Sequence, residues 1–181
     1  MTIIVKNKDT LIFDDFEFKC CVGKNGFSNK KIEGDKKTPR GIFYLENLYF
    51  RKDRKTKPPT KLKVIEIKKN MGWCDDIREK VKYNKLIKKN PGIKSENLFR
   101  SDYKYNYLVP IKYNWKKTKL GRGSAIFIHL TKNYKSTAGC IGLKEKDFLI
   151  LLKLIKKNTK IKIQKLKFVN LLHRIFLSLL L

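Results

Sequence analysis

The stretch that decides the fold is Ala125-Ile126-Phe127-Ile128-His129-Leu130, in which five of the six residues are apolar. A short apolar run that follows glycines is typical of a buried β-strand. Further β-prone runs lie on both sides of it, at residues 2–5, 11–18, 20–22, 42–45, 64–67, 107–111 and 159–163. The sequence therefore predicts a mainly β fold built from many short strands.

One clear helix is predicted over residues 145–157. Acidic residues lie in its first turn and lysines in its last, an arrangement that the helix dipole favours. Residues 27–41 are predicted to be loop and residues 51–61 an exposed connection. Residues 70–106 show little periodicity, which indicates a long irregular excursion with one short helix, a kind of segment that usually has a function.

The charge balance of the 181-residue chain is strongly basic, with 44 Lys and Arg against 16 Asp and Glu, a formal net charge of +28. Such a surface attracts polyanions, among them nucleic acid, anionic lipid and acidic cell-wall polymer. The lysines are spread along the whole chain together with many Ile and Asn, which favours compositional drift. Charge alone therefore identifies no partner.

The cysteines indicate neither a disulfide framework nor a metal site. Four are present (Cys20, Cys21, Cys74 and Cys140), no CxxC motif occurs, and two histidines are few for a zinc cluster. We expect no metal and no cofactor.

The two ends of the chain carry weaker signals. Charged residues interrupt residues 1–9 before any apolar run of signal-peptide length, so no export signal is expected in the chain as written. Residues 164–181 form an apolar tail. Its apolar run, residues 168–181, is too short, with Arg174 in it, to predict a membrane span. We expect it to pack on the domain, with contact to a membrane surface as the alternative.

Chemistry is indicated by a histidine eleven residues before a cysteine that follows a glycine: His129, Gly139 and Cys140. A thiol with a pKa of about 8.5 needs a nearby base or cation to become a nucleophile. Backbone N–H groups around Gly139, Cys140 and Ile141 would stabilise an oxyanion. Taken alone, the pattern also fits a buried thiol and a structural histidine.

Four blocks in order make the pattern specific: residues 22–26, residues 34–43 with the sequence GDKKTPRGIF, residues 72–76 with 83–84, and residues 121–129 with 137–143. Together they resemble the L,D-transpeptidase catalytic-domain (YkuD-like) family, in its short bacterial branch. The resemblance implies a β-sandwich-like L,D-transpeptidase domain with one or more short helices over residues 1–163. It does not favour a nucleic-acid-binding module, so no nucleic acid partner is expected.

The resemblance implies that Cys140 attacks a carbonyl of a peptidoglycan stem peptide, that His129 is its base, and that Gly139 and Ile141 contribute to the oxyanion site. L,D-transpeptidation through a Cys140 acyl-enzyme is the leading hypothesis. The alternatives are an L,D-carboxypeptidase-type hydrolase of muropeptides and a non-catalytic basic binding protein. The family also implies a periplasmic or cell-envelope location, although no signal peptide is visible.

Substrate contacts are predicted for Thr137, Arg122, Trp73 and Asp75. An arginine fork suits a stem-peptide carboxylate, whereas a solvated Arg122 and a helix-capping Asp75 are the structural alternatives. The chain also departs from the family's commoner pattern. Thr137-Ala138-Gly139-Cys140 lacks the second histidine of the usual [S/T]-H-G-C motif, and Gly142 stands where an arginine often falls.

Overall fold

The computed structural model describes residues 1–164. The predicted apolar tail, apart from Gln164, lies outside the described residues. The described part forms fifteen strands and one helix. The strands are β1 (Thr2–Val5), β2 (Thr10–Phe13), β3 (Phe16–Cys21), β4 (Phe27–Ser28), β5 (Thr38–Pro39), β6 (Gly41–Tyr44), β7 (Leu48–Phe50), β8 (Val64–Glu66), β9 (Met71–Cys74), β10 (Leu86–Lys88), β11 (Ser95–Asn97), β12 (Tyr107–Pro110), β13 (Phe127–Leu130), β14 (Ile141–Leu143) and β15 (Lys160–Ile163). The helix is α1 (Glu145–Leu154).

Ten of the strands form one mixed, curled sheet in the order β6-β15-β1-β2-β3-β14-β13-β12-β7-β8. A three-stranded sheet has the order β10-β9-β11, and β4 pairs with β5. The parallel pair β13–β14 lies at the middle of the large sheet, where β12 and β3 flank it in antiparallel orientation. The prediction of a mainly β L,D-transpeptidase-like fold with a short helix is confirmed.

The main core explains why the alternating runs form strands. In β1 and β15, every second residue is buried: Ile3 and Val5 in one strand, Ile161 and Ile163 in its parallel neighbour. Side chains alternate between the two faces of a strand, so this pattern places one apolar row in the core. Helix α1 covers the same core with Phe148, Leu151 and Leu152. No helix within residues 1–164 is long and apolar enough to cross a membrane.

Three element boundaries differ from the sequence-based expectation. The run over residues 11–18 is split into β2 and β3 because the chain turns back at Asp14, which adopts a positive φ of 50°. The helix ends at Leu154 rather than at residue 157, since Ile155 is already extended and buried. Residues 27–41 include the short strands β4 and β5 in addition to loop.

The long excursion over residues 70–106 was predicted to be irregular with a short helix, and this prediction is wrong. The segment folds into the small sheet of β9, β10 and β11, and no helix occurs in its described residues. Its strands are only three or four residues long, which is why their periodicity is weak in the sequence. The connection over residues 51–61 begins with Arg51, which is 2% exposed and paired with Asp53.

Candidate active site

The pairing of β13 with β14 places Cys140 and His129 on one face of the large sheet. Ile128 pairs with Ile141 and both face the main core, so the neighbouring Phe127, His129 and Cys140 face the other way. Phe127 and Cys140 belong to a second apolar cluster, which confirms this orientation. Two residues that are eleven apart in the sequence thus lie in β13 (His129) and directly before its neighbour β14 (Cys140).

Cys140 and His129 line the same cavity, which has a volume of about 420 Å³. Its other walls come from the segment that leads into β12 and from the loop between β13 and β14. The lining residues are Glu96, Arg100, Tyr103, Lys104, Tyr105, Leu130, Thr131, Asn133, Lys135, Ser136, Thr137 and Ala138. The walls of the cavity therefore carry both signs of charge.

His129 is held as a neutral base. Its Nδ1 lies 2.9 Å from the carbonyl oxygen of Leu130, so Nδ1 carries the proton and Nε2 is left as the acceptor. Burial lowers the pKa of His129 from 6.5 to about 4, because the charged imidazolium would lose its hydration. The ring of Tyr105 meets the imidazole at a centroid distance of 5.5 Å and fixes its orientation.

Cys140 is a protonated thiol in this structure. Its Sγ donates to the carbonyl oxygen of Ala125 at 3.2 Å and accepts from the N–H of Phe127 at 3.3 Å. Burial raises the pKa of Cys140 to about 12 and the Phe127 N–H acts in the opposite direction. The resting pair is thus neutral, and the S–H must turn away from Ala125 before its proton reaches His129.

The turn that carries Cys140 is closed by its own side chains. Thr137 Oγ1 donates to the carbonyl oxygen of Cys140 at 2.6 Å and accepts from the N–H of Gly139 at 3.1 Å. Gly139 has φ +144°, and a Cβ at this position would lie 2.9 Å from the carbonyl oxygen of Lys37. Only glycine fits there without strain.

The hydrogen bonds of this turn already involve one of the predicted oxyanion donors. The N–H of Gly139 is already donated to Thr137, so the evident role of Gly139 is conformational. No acceptor within residues 1–164 takes the N–H of Cys140 itself. Ile141 begins β14, directly after the nucleophile. The oxyanion roles of Gly139 and Ile141 stay predictions.

The first two sequence blocks, residues 22–26 and 34–43, stabilise the turn that carries Cys140. Thr137 donates its N–H to Val22 and accepts at its carbonyl oxygen from the N–H of Lys24, both at 2.9 Å. Between them, the N–H of Gly23 donates to Thr38 Oγ1 at 2.9 Å, and Thr38 is fully buried. The Thr-Pro of the second block is thereby tied to the turn that holds Cys140.

The third block supports β13 through Asn84. Its Oδ1 accepts from Trp73 Nε1 at 3.0 Å and from the N–H of Ala125 at 3.1 Å. Its Nδ2 donates to the carbonyl oxygens of Tyr113 and Asn114. Asn84 thus uses all its hydrogen-bonding groups to fix the residue whose carbonyl accepts from Cys140 Sγ.

Of the four predicted substrate contacts, the structure brings only Thr137 to the cavity. Trp73 is 2% exposed and packs edge-on against Phe127, so it supports the site from the core. Asp75 lies 3.4 Å from Lys94 Nζ in the small sheet. Arg122 precedes Gly123 on the approach to β13, and its carbonyl oxygen accepts from Tyr113. Neither Asp75, Arg122 nor Trp73 lines the cavity.

The charged wall of the cavity was missed by sequence reasoning. Arg100 donates to Asp102 through Nε at 2.9 Å and through Nη2 at 2.7 Å, and pairs with Glu96 at 3.0 Å. The hydrogen bonds that Arg100 donates to Asp102 raise the pKa of Arg100. These residues lie in the long excursion that the sequence marked as functional, but their spacing alone did not single them out.

The comparisons with known proteins identify the family of the chain. A model of the YkuD family, described as the L,D-transpeptidase catalytic domain, matches residues 1–163. The chain belongs to this family, and the resemblance inferred from its four blocks is confirmed. The family acts on peptidoglycan, and its activity is of the L,D-transpeptidase type. No curated protein matches the chain.

Two solved structures are similar to this chain. The helical cell shape determining protein Pgp2 from Campylobacter jejuni is 18% identical, with a TM-score of 0.51 over 92% of this chain and 48% of that chain. Bd1075 from Bdellovibrio bacteriovorus is 16% identical, with a TM-score of 0.49 over 99% of this chain and 54% of that chain. The chain thus spans about half the length of these relatives.

Proposed function

We propose that the protein is a cysteine-dependent acyltransferase that acts on peptidoglycan stem peptides by L,D-transpeptidation. The observation that carries the proposal is the placement of Cys140 and His129 on one face of adjacent strands, in one cavity. Family membership over residues 1–163 supports the substrate class. Cell wall and cell envelope are the proposed setting, and the likeness to a cell shape determining protein adds cell shape to it.

In the proposed acylation step, the Cys140 proton moves to Nε2 of His129 and the sulfur attacks the carbonyl carbon at the L-centre of a tetrapeptide. The N–H of Cys140 is the proposed donor to the resulting oxyanion. When the oxyanion collapses, the bond to the terminal D-amino acid breaks. His129 returns its proton to the departing amine, and a thioester remains on Cys140.

The second half of the reaction determines the product. Attack on the thioester by an amine of another stem gives a crosslink, whereas attack by water gives a tripeptide. In both cases His129 Nε2 accepts the nucleophile's proton and Cys140 leaves with a proton again. Transfer and hydrolysis therefore require the same two residues, and product analysis separates them.

The lining of the cavity supports a charged peptide substrate. Glu96 contributes a carboxylate, and Lys104 and Lys135 contribute cations. Stem peptides carry both carboxylates and amines, so each charge of the substrate has a group of opposite charge in the cavity wall. Thr137 lines the cavity, but both hydrogen bonds of its hydroxyl serve the turn, so we assign it a structural role.

The direct test is incubation of the purified protein with disaccharide-tetrapeptide, followed by mass spectrometry of the products. We expect dimers or exchange of the terminal D-amino acid with the native chain and neither with Cys140→Ala or His129→Ala. Cys74→Ala is the matched control, because Cys74 is buried in β9 away from the cavity. It should keep the native product pattern.

Three other outcomes would change the proposal. Tripeptide as the sole product, lost in Cys140→Ala, would make the protein an L,D-carboxypeptidase. Equal activity in the native chain and in Cys140→Ala would remove the cysteine from the chemistry. Substrate that is bound but unchanged by both proteins would leave a binding role.

A further inference from the structure

A buried lysine lies behind the nucleophile, on a segment to which the proposed mechanism assigns no step. Lys31 is 3% exposed, and its Nζ lies 2.6 Å from Asp35 Oδ1. Burial of an ammonium is costly even when it is paired, and lysine is among the residues most seldom found buried. Among the Lys and Arg residues within residues 1–164, only Lys31 and Arg51 are buried, so the burial of Lys31 indicates a specific role.

The packing of Lys31 depends on two glycines that flank the active site. A Cβ at Gly123 would lie 2.7 Å from Lys31 Cε and 2.8 Å from its Cδ, so the absence of a side chain there makes the channel for the lysine stem. A Cβ at Gly139 would lie 3.5 Å from Lys31 Nζ. The ammonium is thus in contact range of the residue that precedes Cys140.

Asp35 fixes the position of this ammonium. Its carboxylate also accepts from the N–H groups of Ile32 at 3.0 Å and Lys37 at 2.9 Å. Desolvation acts to raise the pKa of Asp35, but the hydrogen bonds from Lys31 and from these two N–H groups outweigh it and hold the pKa below its usual value. The carboxylate therefore stays ionised and keeps Lys31 in place.

The charged and titratable groups around Cys140 can be sorted by their effect on a thiolate. Burial is the largest influence and opposes the charge, and Glu96 and Cys21 also raise the pKa of Cys140. The N–H of Phe127 and the ammonium of Lys31 lower it. Tyr105, whose hydroxyl is held neutral by burial, and the neutral His129 complete the surroundings.

We propose that Lys31 is a positioning residue for the nucleophile, stabilising the negative charge that forms on Cys140 from behind the Gly139–Cys140 turn. The inference rests on the proposed function, because it assigns Lys31 a part in the activation of that cysteine. Lys31 forms no covalent bond and transfers no proton. The proton of Cys140 still goes to His129, and Lys31 acts only through its fixed charge.

The surroundings of His129 explain why a fixed positive charge near Cys140 is useful. The Nδ1 of His129 donates to a backbone carbonyl and not to a carboxylate, so no hydrogen-bonded anion offsets the imidazolium when it forms. Among the more distant charges, Asp102 favours the imidazolium, whereas Lys104 and Arg100 oppose it. In a buried site, the separated thiolate and imidazolium then depend on fixed charges nearby. Lys31 supplies the positive charge on the thiolate side, opposite to the cavity through which the substrate enters.

The test measures the reactivity of Cys140 without any cell-wall substrate. Native protein and Lys31→Met are treated with iodoacetamide at pH 8, and alkylation of the Cys140 peptide is followed by mass spectrometry. Loss of a close positive charge raises a thiol pKa by about one pH unit, which leaves about tenfold less thiolate. The remaining thiolate is more nucleophilic, so we expect alkylation to be about threefold slower.

Two further variants distinguish an electrostatic role of Lys31 from a purely structural one. Lys30→Met removes the same charge from the exposed neighbour and should alkylate at the native rate. Asp35→Asn removes the negative charge that faces Lys31 but keeps an amide oxygen that accepts from its ammonium, so the charge account expects alkylation no slower than in the native protein. A merely structural role predicts instead that Lys31→Met and Asp35→Asn are slowed alike, with equal losses in Tm.

The proposal is overturned if Lys31→Met folds and alkylates at the native rate, or if Asp35→Asn is slowed to the same degree as Lys31→Met. Should Lys31→Met fail to fold, Lys31→Gln takes its place under the same criteria. Alkylation of Cys140 needs no turnover of a stem peptide. The alkylation rates therefore test the role of Lys31 even if the proposed stem-peptide activity is not found. If turnover is found, kcat/KM should fall about threefold in Lys31→Met, for the same reason as the alkylation rate.

Discussion

Two regions of the molecule are stabilised in different ways. The apolar half, formed by β1, β2, β15 and α1, buries alternate Ile, Val, Leu and Phe side chains in one continuous core. The catalytic region, formed by residues 31–38, 121–125 and 137–140, buries Lys31, Thr38 and Ser124 instead. Its conformation depends on hydrogen bonds and on the positive φ angles of Gly123 and Gly139.

The difference shows where each region is sensitive to change. Hydrophobic burial has no direction, so the apolar half should lose stability in proportion to the volume removed while the geometry of the site persists. Hydrogen bonds and left-handed glycines are directional, so one substitution in the catalytic region should displace Cys140 itself. Three predictions test this contrast between the apolar half and the catalytic region.

The largest effect is expected for Gly139→Ala. Its methyl group would meet the carbonyl oxygen of Lys37 at a φ of +144°, so the turn must shift and Cys140 with it. A displacement of about 1 Å at the nucleophile costs about a hundredfold in kcat/KM. The measurement is turnover of disaccharide-tetrapeptide per folded molecule, with urea unfolding in parallel.

Gly34→Ala is the matched control for that change. Gly34 also has a positive φ, +78°, but a Cβ there meets nothing within 4 Å. We expect it to lower the free energy of unfolding by about 1 kcal/mol and to leave kcat/KM near the native value. Equal activities of the two alanine variants would contradict the role of the Gly139 contact.

The second prediction concerns the apolar half. Leu11 is fully buried in β2, and Leu11→Ala should lower the free energy of unfolding by about 3 kcal/mol. The kcat/KM of the folded protein should stay near native, because Leu11 does not line the cavity. Ile12→Ala, on the opposite face of the same strand, is the control with a smaller loss. The contrast fails if Leu11→Ala reduces kcat/KM as strongly as Gly139→Ala.

The smallest effect is a pH dependence that originates at His129. Its pKa is about 4 when folded and 6.5 when unfolded, so the unfolded chain binds the proton first as the pH falls. This neutral histidine therefore favours the folded state fully above pH 6.5, and the advantage is lost as the pH falls towards 4. Between pH 7 and pH 5, the loss should be about 2 kcal/mol.

The measurement for His129 is a pair of urea titrations at pH 7 and pH 5 on native protein and His129→Gln. Carboxylates titrate equally in both proteins, so the difference between them isolates the histidine. The native chain should lose about 2 kcal/mol more than the variant. Identical losses would mean that His129 is not held neutral by burial.

The sequence predicted the apolar half well because its signal is local. Alternation over four residues is enough to place Ile161 and Ile163 on one face of a strand, and Thr2–Val5 was recognised in the same way. Turns were harder to predict. The reversal at Asp14 comes from a left-handed residue inside a continuous β-prone run, which periodicity does not reveal.

The catalytic region was predicted in part. Cys140 and His129 followed from the chemistry of their residue types and from the four blocks, and the structure brings them to one cavity. Trp73 was predicted at the substrate and lies in the core, because burial of an indole depends on tertiary contacts. Lys31 was not singled out at all, since its burial depends on Gly123 and Gly139 from distant parts of the chain.

The central claim is that Cys140 becomes acylated by a stem peptide, and rapid-quench mass spectrometry tests it most directly. The protein is mixed with disaccharide-tetrapeptide, quenched in acid within the first turnover and digested. We predict that the Cys140 peptide gains the mass of the disaccharide-tripeptide acyl group, and that the corresponding peptide of Cys140→Ala stays unmodified. Product formed by the native chain while the Cys140 peptide stays unmodified at every quench time would contradict the account.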